Sequence, residues 1–143
     1  MPEPTHQGFH HLTLNVQDVE KSAQWYSEVL GFVRFAGFAT DEFERVILRH
    51  PESGAMLGLS RHAATVAGEP FDERRSGLDH LAFRVENRRA LDEWIERFDA
   101  FGVPHSEPKQ ALAGTWLVAF RDPDGIQLEV FANPAPSAPD GGA

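Results

Sequence analysis

The sequence predicts an α+β fold built from two βαβββ modules, and an internal repeat is the first reason. The hexapeptide HLTLNV that begins at His11 resembles the hexapeptide HLAFRV that begins at His80, 69 residues later. In both, apolar and polar residues alternate, which is typical of a strand with one buried face. A stretch with helical spacing of apolar residues follows each hexapeptide, and then come three short strand patterns.

The helix of each module follows its first strand directly. Asp18 is a good N-cap for a first helix that ends at Gly31, and Asn87 can cap a second helix that ends at Gly102. Both helices carry an apolar stripe at helical spacing. We expect these stripes to cover one face of each sheet, which leaves the histidine-bearing face open.

Three shorter strands complete each module. In the first module they span about 32–38, 43–50 and 55–60, and in the second about 103–106, 115–121 and 126–131. The tetrapeptide DPDG that begins at Asp122 predicts a hairpin turn between the last two strands. The predicted boundaries are 8–60 for the first module, 61–77 for a connector, 78–132 for the second module and 133–143 for a disordered tail.

Composition excludes several classes of function. The chain has 143 residues, 41% hydrophobic and 24% charged, which fits one compact domain. A net charge of −9 disfavours binding to nucleic acid or to an anionic membrane. Cysteine is absent, so there is no disulfide, thiolate nucleophile or Cys-ligated metal, and this fits a cytoplasmic protein.

Two histidines and a glutamate are the candidate metal ligands. His11 and His80 hold equivalent positions on the open face, and Glu129 lies on that face of the last strand. Two neutral imidazoles and one carboxylate form the facial triad of non-haem Fe(II), which also suits Mn, Co, Ni or Zn. The residues alone leave other interpretations open, namely structural or surface histidines and an ion pair of Glu129 with Arg84 or Arg121.

These motifs resemble the vicinal oxygen chelate superfamily, which groups glyoxalases, bleomycin-resistance proteins and extradiol dioxygenases. The resemblance covers nearly all of residues 8–132 and rests on HLTLNVQD from His11, WY from Trp25, LGF from Leu30, LDHLAF from Leu78 and DPDGIQLE from Asp122. It implies curled mixed sheets that enclose a metal-site cavity, with His11, His80 and Glu129 as ligands. It also implies a divalent ion (Fe(II) favoured; Mn, Ni, Co or Zn possible), a small-molecule substrate and a homodimer.

Departures from the pattern of this superfamily narrow the chemistry. Gly58 stands opposite Glu129 in the repeat, where glyoxalase-like members carry a Glu or Gln ligand, and this disfavours a lactoylglutathione lyase. Fosfomycin-inactivating members place hydroxyl donors for the phosphonate where this chain has Ala113, Leu117 and Ala119, and this disfavours a phosphonate substrate. Retention of all three ligands argues against a binding-only drug-resistance protein.

The sequence therefore favours a dioxygenase-like metal enzyme. A glyoxalase-type lyase or isomerase and a non-catalytic drug-binding resistance protein remain the alternatives. His62, just past the strand that bears Gly58, is a candidate acid–base residue, and an exposed loop histidine explains it equally well. The candidate substrate-binding residues on the open face are Thr13, Asn15, Arg84 and Gln127.

Overall fold

A computed structural model describes residues 1–134 as two compact units, Met1–Glu69 and the residues from Pro70 on. Each unit combines a four-stranded mixed sheet, curled but not closed, with one α-helix. The predicted α+β fold with two βαβββ modules is therefore confirmed. The division between the units falls within 61–77, the predicted connector. Of the predicted tail, 133–143, the residues from 135 on lie outside the described residues.

The first unit has its strands in the spatial order β1-β4-β3-β2. Its elements are β1 (Leu12–Asn15), α1 (Val19–Leu30), β2 (Val33–Ala39), β3 (Phe43–Arg49) and β4 (Met56–His62). β1 and β4 run parallel, and the other neighbours are antiparallel. The parallel pair requires the crossover that α1 provides between the first strand and the antiparallel meander.

The second unit repeats this topology with the order β5-β8-β7-β6. Its elements are β5 (Leu81–Val85), α2 (Arg88–Ala100), β6 (Lys109–Gln110), a 3-10 turn (Leu112–Gly114), β7 (Trp116–Arg121) and β8 (Gln127–Ala132). β5 and β8 are the parallel pair. The repeat seen in the sequence is thus a repeat of structure.

Both predicted helix starts and the predicted hairpin turn are confirmed. The side chains of Asp18 and Asn87 accept hydrogen bonds from the backbone N–H of Lys21 and Ala90, each at 3.0 Å. In the turn between β7 and β8, the carboxylate of Asp122 accepts backbone hydrogen bonds from residues 124 and 126, each at 2.9 Å. Local side-chain bonds of this kind fix where an element starts, so sequence alone locates them.

The core of each unit lies between its helix and one sheet face. Side chains with no exposed surface include Tyr26, Leu48 and Leu59 in the first unit and Leu91, Phe98 and Leu128 in the second. Full burial of such a side chain stabilises the fold by roughly 1.5–3 kcal/mol. Residues of opposite parity on the same strands form the other face, called here the open face of each sheet. No helix within residues 1–134 is long and apolar enough to cross a bilayer.

Two predicted details are wrong. Residues 103–106 do not form a strand; His105 makes one isolated bridge to Phe120, and the outer strand is the two-residue β6. Pro104 has no N–H to donate, and the Ser106 hydroxyl takes the N–H of Ala119 at 2.9 Å, so a regular ladder does not form. The repeat histidines also do not open the strands, which begin one residue later.

Candidate metal centre

His80 and Glu129 lie side by side in the second unit. The parallel register of β5 and β8 sets Ala82 opposite Glu129, so the carboxylate reaches the histidine just before β5. His80 Nε2 is 3.5 Å from Glu129 Oε2. This exceeds an ordinary hydrogen bond and is close to the roughly 3.0–3.4 Å between two donors that each lie about 2.1 Å from one shared ion. The spacing therefore suits two ligands of a metal.

Asp79 orients His80. The Asp79 Oδ1 atom lies 2.6 Å from His80 Nδ1, on the side of the ring away from Glu129. This hydrogen bond raises the pKa of His80; the nearby Glu129 charge adds to the rise, and burial opposes it. Because Nδ1 is held by a carboxylate, Nε2 is the nitrogen presented to a ligand, as in carboxylate–histidine–metal arrangements.

Glu129 is a buried carboxylate whose polar contacts to the described residues 1–134 are long. The residue is 8% exposed. Gln127 Nε2 approaches its Oε1 at 3.5 Å, and His80 approaches its Oε2 at the same distance. A buried carboxylate without short hydrogen bonds is costly, and a cation would remove that cost. One imidazole nitrogen of His80 and the carboxylate oxygens of Glu129 are therefore donors that suit a divalent ion.

Arg121 does not pair with Glu129, although the sequence left that ion pair open. Its Nη2 donates to Glu73 Oε1 at 2.8 Å, and its Nη1 donates to the carbonyl of Gly125 at 2.7 Å. The Arg121 guanidinium lowers the pKa of Glu73. Its Nη2 also lies 3.5 Å from Gln127 Oε1, next to the amide that faces Glu129. Arg121 thus ties the connector residue Glu73 to the edge of the candidate centre.

His11 belongs to the first unit. Its Nδ1 lies 2.8 Å from His10 Nδ1, so its Nε2 is the nitrogen left for a ligand. Each repeat histidine therefore has its Nδ1 held by the residue directly before it. Strict alternation would put His10 on the opposite face, but both histidines precede β1, where the pleat does not apply.

The three predicted ligands are divided between the two units. His80 and Glu129 are brought together in the second, and His11 lies in the first. Within residues 1–134, no group of three or more His, Asp or Glu side chains is arranged to hold a metal. The full ligand set and the enclosed cavity stay predictions.

Gly58 is the structural counterpart of Glu129. Thr13 lies opposite Gly58 across β1 and β4, as Ala82 lies opposite Glu129 across β5 and β8. A Cβ atom at Gly58 would lie 2.6 Å from Thr13 Oγ1. The hydroxyl of Thr13 therefore occupies the space that a side chain at position 58 would need, on the open face of the first sheet.

The remaining candidates lie on the open faces of their own sheets. Asn15 and Arg84 are exposed, opposite Ser60 and Phe131. His62 is the last residue of β4, four residues beyond Gly58 and so about 13 Å along the strand. Its ring centre lies 5.7 Å from that of Phe43, a second residue of the same face. A catalytic role for His62 stays a prediction.

Comparisons with known proteins agree with this architecture. A family model described as "Glyoxalase/Bleomycin resistance protein/Dioxygenase superfamily" matches residues 8–130. The crystal structure of a glyoxylase/bleomycin resistance protein/dioxygenase domain from Frankia sp. EAN1pec has a TM-score of 0.82, with 32% identity over 90% of this chain and 99% of that one. Members of the superfamily act on small molecules and typically use divalent metals.

Two curated relatives differ in their named activities. A "Probable lactoylglutathione lyase" from Vibrio cholerae is 27% identical over 86% of this chain and 88% of that protein. A "Putative ring-cleaving dioxygenase MhqA" from Bacillus subtilis is 27% identical over 88% of this chain, but this match spans only 40% of that protein. These similarities indicate a shared architecture and leave the reaction open.

Proposed function

Because the chain belongs to the glyoxalase/bleomycin resistance protein/dioxygenase superfamily, we propose that it is a divalent-metal-dependent enzyme of the vicinal oxygen chelate type. Its substrate is a small oxygenated molecule, and its chemistry is dioxygenase-like. The observation that carries this proposal is the buried Glu129 beside His80 Nε2, with Asp79 holding the other ring nitrogen. His11, related to His80 by the repeat, supplies the third ligand.

Each residue of the site has a distinct part in this proposal. Asp79 and His10 orient the two imidazoles, and Gln127 steadies the Glu129 carboxylate from one side. A divalent ion held by His80, Glu129 and His11 would supply Lewis acidity toward vicinal oxygens of the substrate. The Thr13 hydroxyl donates a hydrogen bond to substrate from the space above Gly58. Two histidines and one carboxylate are the ligand set typical of non-haem Fe(II), which we favour among the divalent ions, and they would leave positions for water and substrate.

The second candidate is a glyoxalase-type lyase, favoured by the relative from Vibrio cholerae. Gly58 argues against it, because glycine offers no donor at the counterpart of Glu129. The binding-only alternative requires no metal and predicts that ligand binding survives loss of His80. A homodimer and a cytoplasmic location remain predictions; a dimer could assemble each site from the first unit of one copy and the second unit of another.

Anaerobic reconstitution tests the proposal. Purified protein is loaded with Fe(II), iron per chain is measured, and oxygen uptake is followed with catechols. We expect near-stoichiometric iron in the natural protein and in the His6→Ala control, whose histidine lies in the exposed N-terminal segment. His80→Ala should lose the iron. Turnover of a hemithioacetal by the Ni(II) form would favour the lyase, and a chain that binds no divalent ion would contradict the proposal.

A further inference from the structure

The open face of the first sheet carries a guanidinium that no carboxylate pairs with among residues 1–134. Arg45 lies on β3, opposite Ser60 on β4 and Phe38 on β2. Its Nε donates to the buried hydroxyl of Ser60 at 2.6 Å. This is its one hydrogen bond within the described part of the chain, so both Nη nitrogens are left for another acceptor.

Two phenylalanines hold this guanidinium in place. The Cζ atom of Arg45 lies 4.6 Å from the ring centre of Phe43 and 5.8 Å from that of Phe38. The two rings meet edge to face, 5.8 Å apart. Cation–π contact and the bond to Ser60 fix the guanidinium, so little rotamer freedom remains to be lost on ligand binding.

The position of Arg45 relates it to the candidate substrate residues. Ser60, opposite Arg45, is also opposite Asn15, whereas Gly58, opposite Ile47, faces Thr13. Asn15, Ser60 and Arg45 thus form one row across the sheet, and Thr13, Gly58 and Ile47 form the next row on the same face. The two rows are about 7 Å apart along the strands. Arg45 also lies two strands away from Thr13, so their backbones are about 12 Å apart, and the long arginine side chain together with an aromatic acid spans this distance.

We propose that Arg45, Phe38 and Phe43 form a subsite for the carboxylate of a planar aromatic acid. This inference rests on the proposed function and names its substrate class. Two parallel Nη donors match one carboxylate in bidentate geometry, and the phenylalanine rings suit a flat apolar body. A single fixed guanidinium in a chain of net charge −9 suits a monoanion better than a dianion.

Binding of benzoate and of its neutral analogue benzamide to the metal-free protein tests this subsite by calorimetry. We expect benzoate to bind at least about tenfold more tightly than benzamide. Arg45→Gln should abolish that preference, and Arg45→Lys should keep part of it. Arg61→Gln is the matched control, since Arg61 lies on β4 with the opposite parity, and it should leave the preference intact.

Equal affinity for the two ligands, absence of saturable benzoate binding, or a preference that survives Arg45→Gln would each overturn the subsite. Binding of Mn(II) to Arg45→Gln, followed by electron paramagnetic resonance, separates this result from the proposed metal function. If Arg45→Gln keeps both the Mn(II) affinity and the benzoate preference of the natural protein, the subsite is wrong and the metal function is unaffected. If the natural protein does not bind Mn(II), the proposed metal function is wrong, and the benzoate measurement still tests the subsite independently.

Discussion

The two units share one topology but differ at one equivalent position on the last strand of each unit, in the middle of its parallel strand pair. In the second unit this position is Glu129, a buried carboxylate beside His80. In the first unit it is Gly58, and the Thr13 side chain fills the space. One copy of the repeat thus keeps a charge that a cation can satisfy, and the other keeps a small hydroxyl. We interpret this difference as a division between metal binding and substrate binding.

The residues that orient the two histidines also differ between the units, again with the charged group in the second unit. Asp79 gives His80 a charged partner at Nδ1, whereas His10 gives His11 a neutral one when both imidazoles are unprotonated. A carboxylate partner increases the basicity of a ligating imidazole more than a neutral partner does. We therefore expect the second unit to dominate metal affinity.

The largest effect should come from removing the charge that distinguishes the second unit. Glu129→Gln keeps the size of the side chain but removes the anionic ligand, so metal affinity should fall by about 100-fold or more. Calorimetric titration with Mn(II) measures this. Glu93→Gln on the exposed side of α2 removes the same charge and should leave the affinity unchanged. An unaltered affinity in Glu129→Gln would remove Glu129 from the ligand set.

The next effect should separate the two orienting residues. Asp79→Asn should weaken metal binding by about 10- to 100-fold, and His10→Ala should weaken it less. In metal-free protein, Asp79→Asn should also lower the raised pKa of His80, because the Asp79 hydrogen bond is the main cause of the rise. Proton NMR titration of the histidine rings reads this directly. Equal losses in both variants would contradict the dominance of the second unit.

The sequence predicted local features well because their causes are local. The caps at Asp18 and Asn87 and the turn at Asp122 depend on side chains within four residues of the backbone groups they bind. The failed strand at 103–106 depends instead on a competing bond between Ser106 and the distant Ala119. That competition cannot be read from hydrophobic pattern.

For the candidate site, the sequence indicated which strand face each proposed ligand occupies but not what surrounds the site. Alternation placed Glu129 on the open face, and the repeat related His11 to His80. Alternation could not predict that Phe38 lies beside Arg45, because this pairing depends on an irregular register between β2 and β3 after Arg34. A one-residue shift reverses which face a side chain occupies, so a bulge hides such contacts from sequence reasoning.

A third prediction concerns Gly58, where a substitution makes the first unit more like the second at the counterpart of Glu129. Gly58→Ala places a Cβ atom 2.6 Å from Thr13 Oγ1 on a buried strand, so the free energy of unfolding should drop by about 1–3 kcal/mol. Thr13→Ala in the same chain removes the obstructing atoms and should restore most of the loss. Urea denaturation of the two single variants and the double variant measures the coupling. Additive effects would mean that Thr13 does not occupy this space.

The smallest effect concerns the outer strands, which are seven residues long in β2 and two in β6. His105 lies on the segment before the short strand: its Nδ1 lies 2.8 Å from the Ser106 carbonyl and its Nε2 lies 3.0 Å from Asp99 Oδ1. The backbone carbonyl and then the Asp99 carboxylate raise the pKa of His105 against the effect of burial.

The sign of the resulting pH dependence follows from that rise. A histidine with a raised pKa in the folded state stabilises the fold fully below its unfolded value of about 6.5, and this contribution disappears as the pH rises through the folded value. Because Asp99 is exposed, the contribution should be at most about 1 kcal/mol. Urea denaturation of the metal-free protein from about pH 6 to about pH 8 should therefore show a steeper loss of stability in the natural protein than in His105→Gln. Asp99→Asn should lie between them, since it keeps the Ser106 bond, and parallel curves for all three proteins would show that His105 makes no pH-dependent contribution to stability.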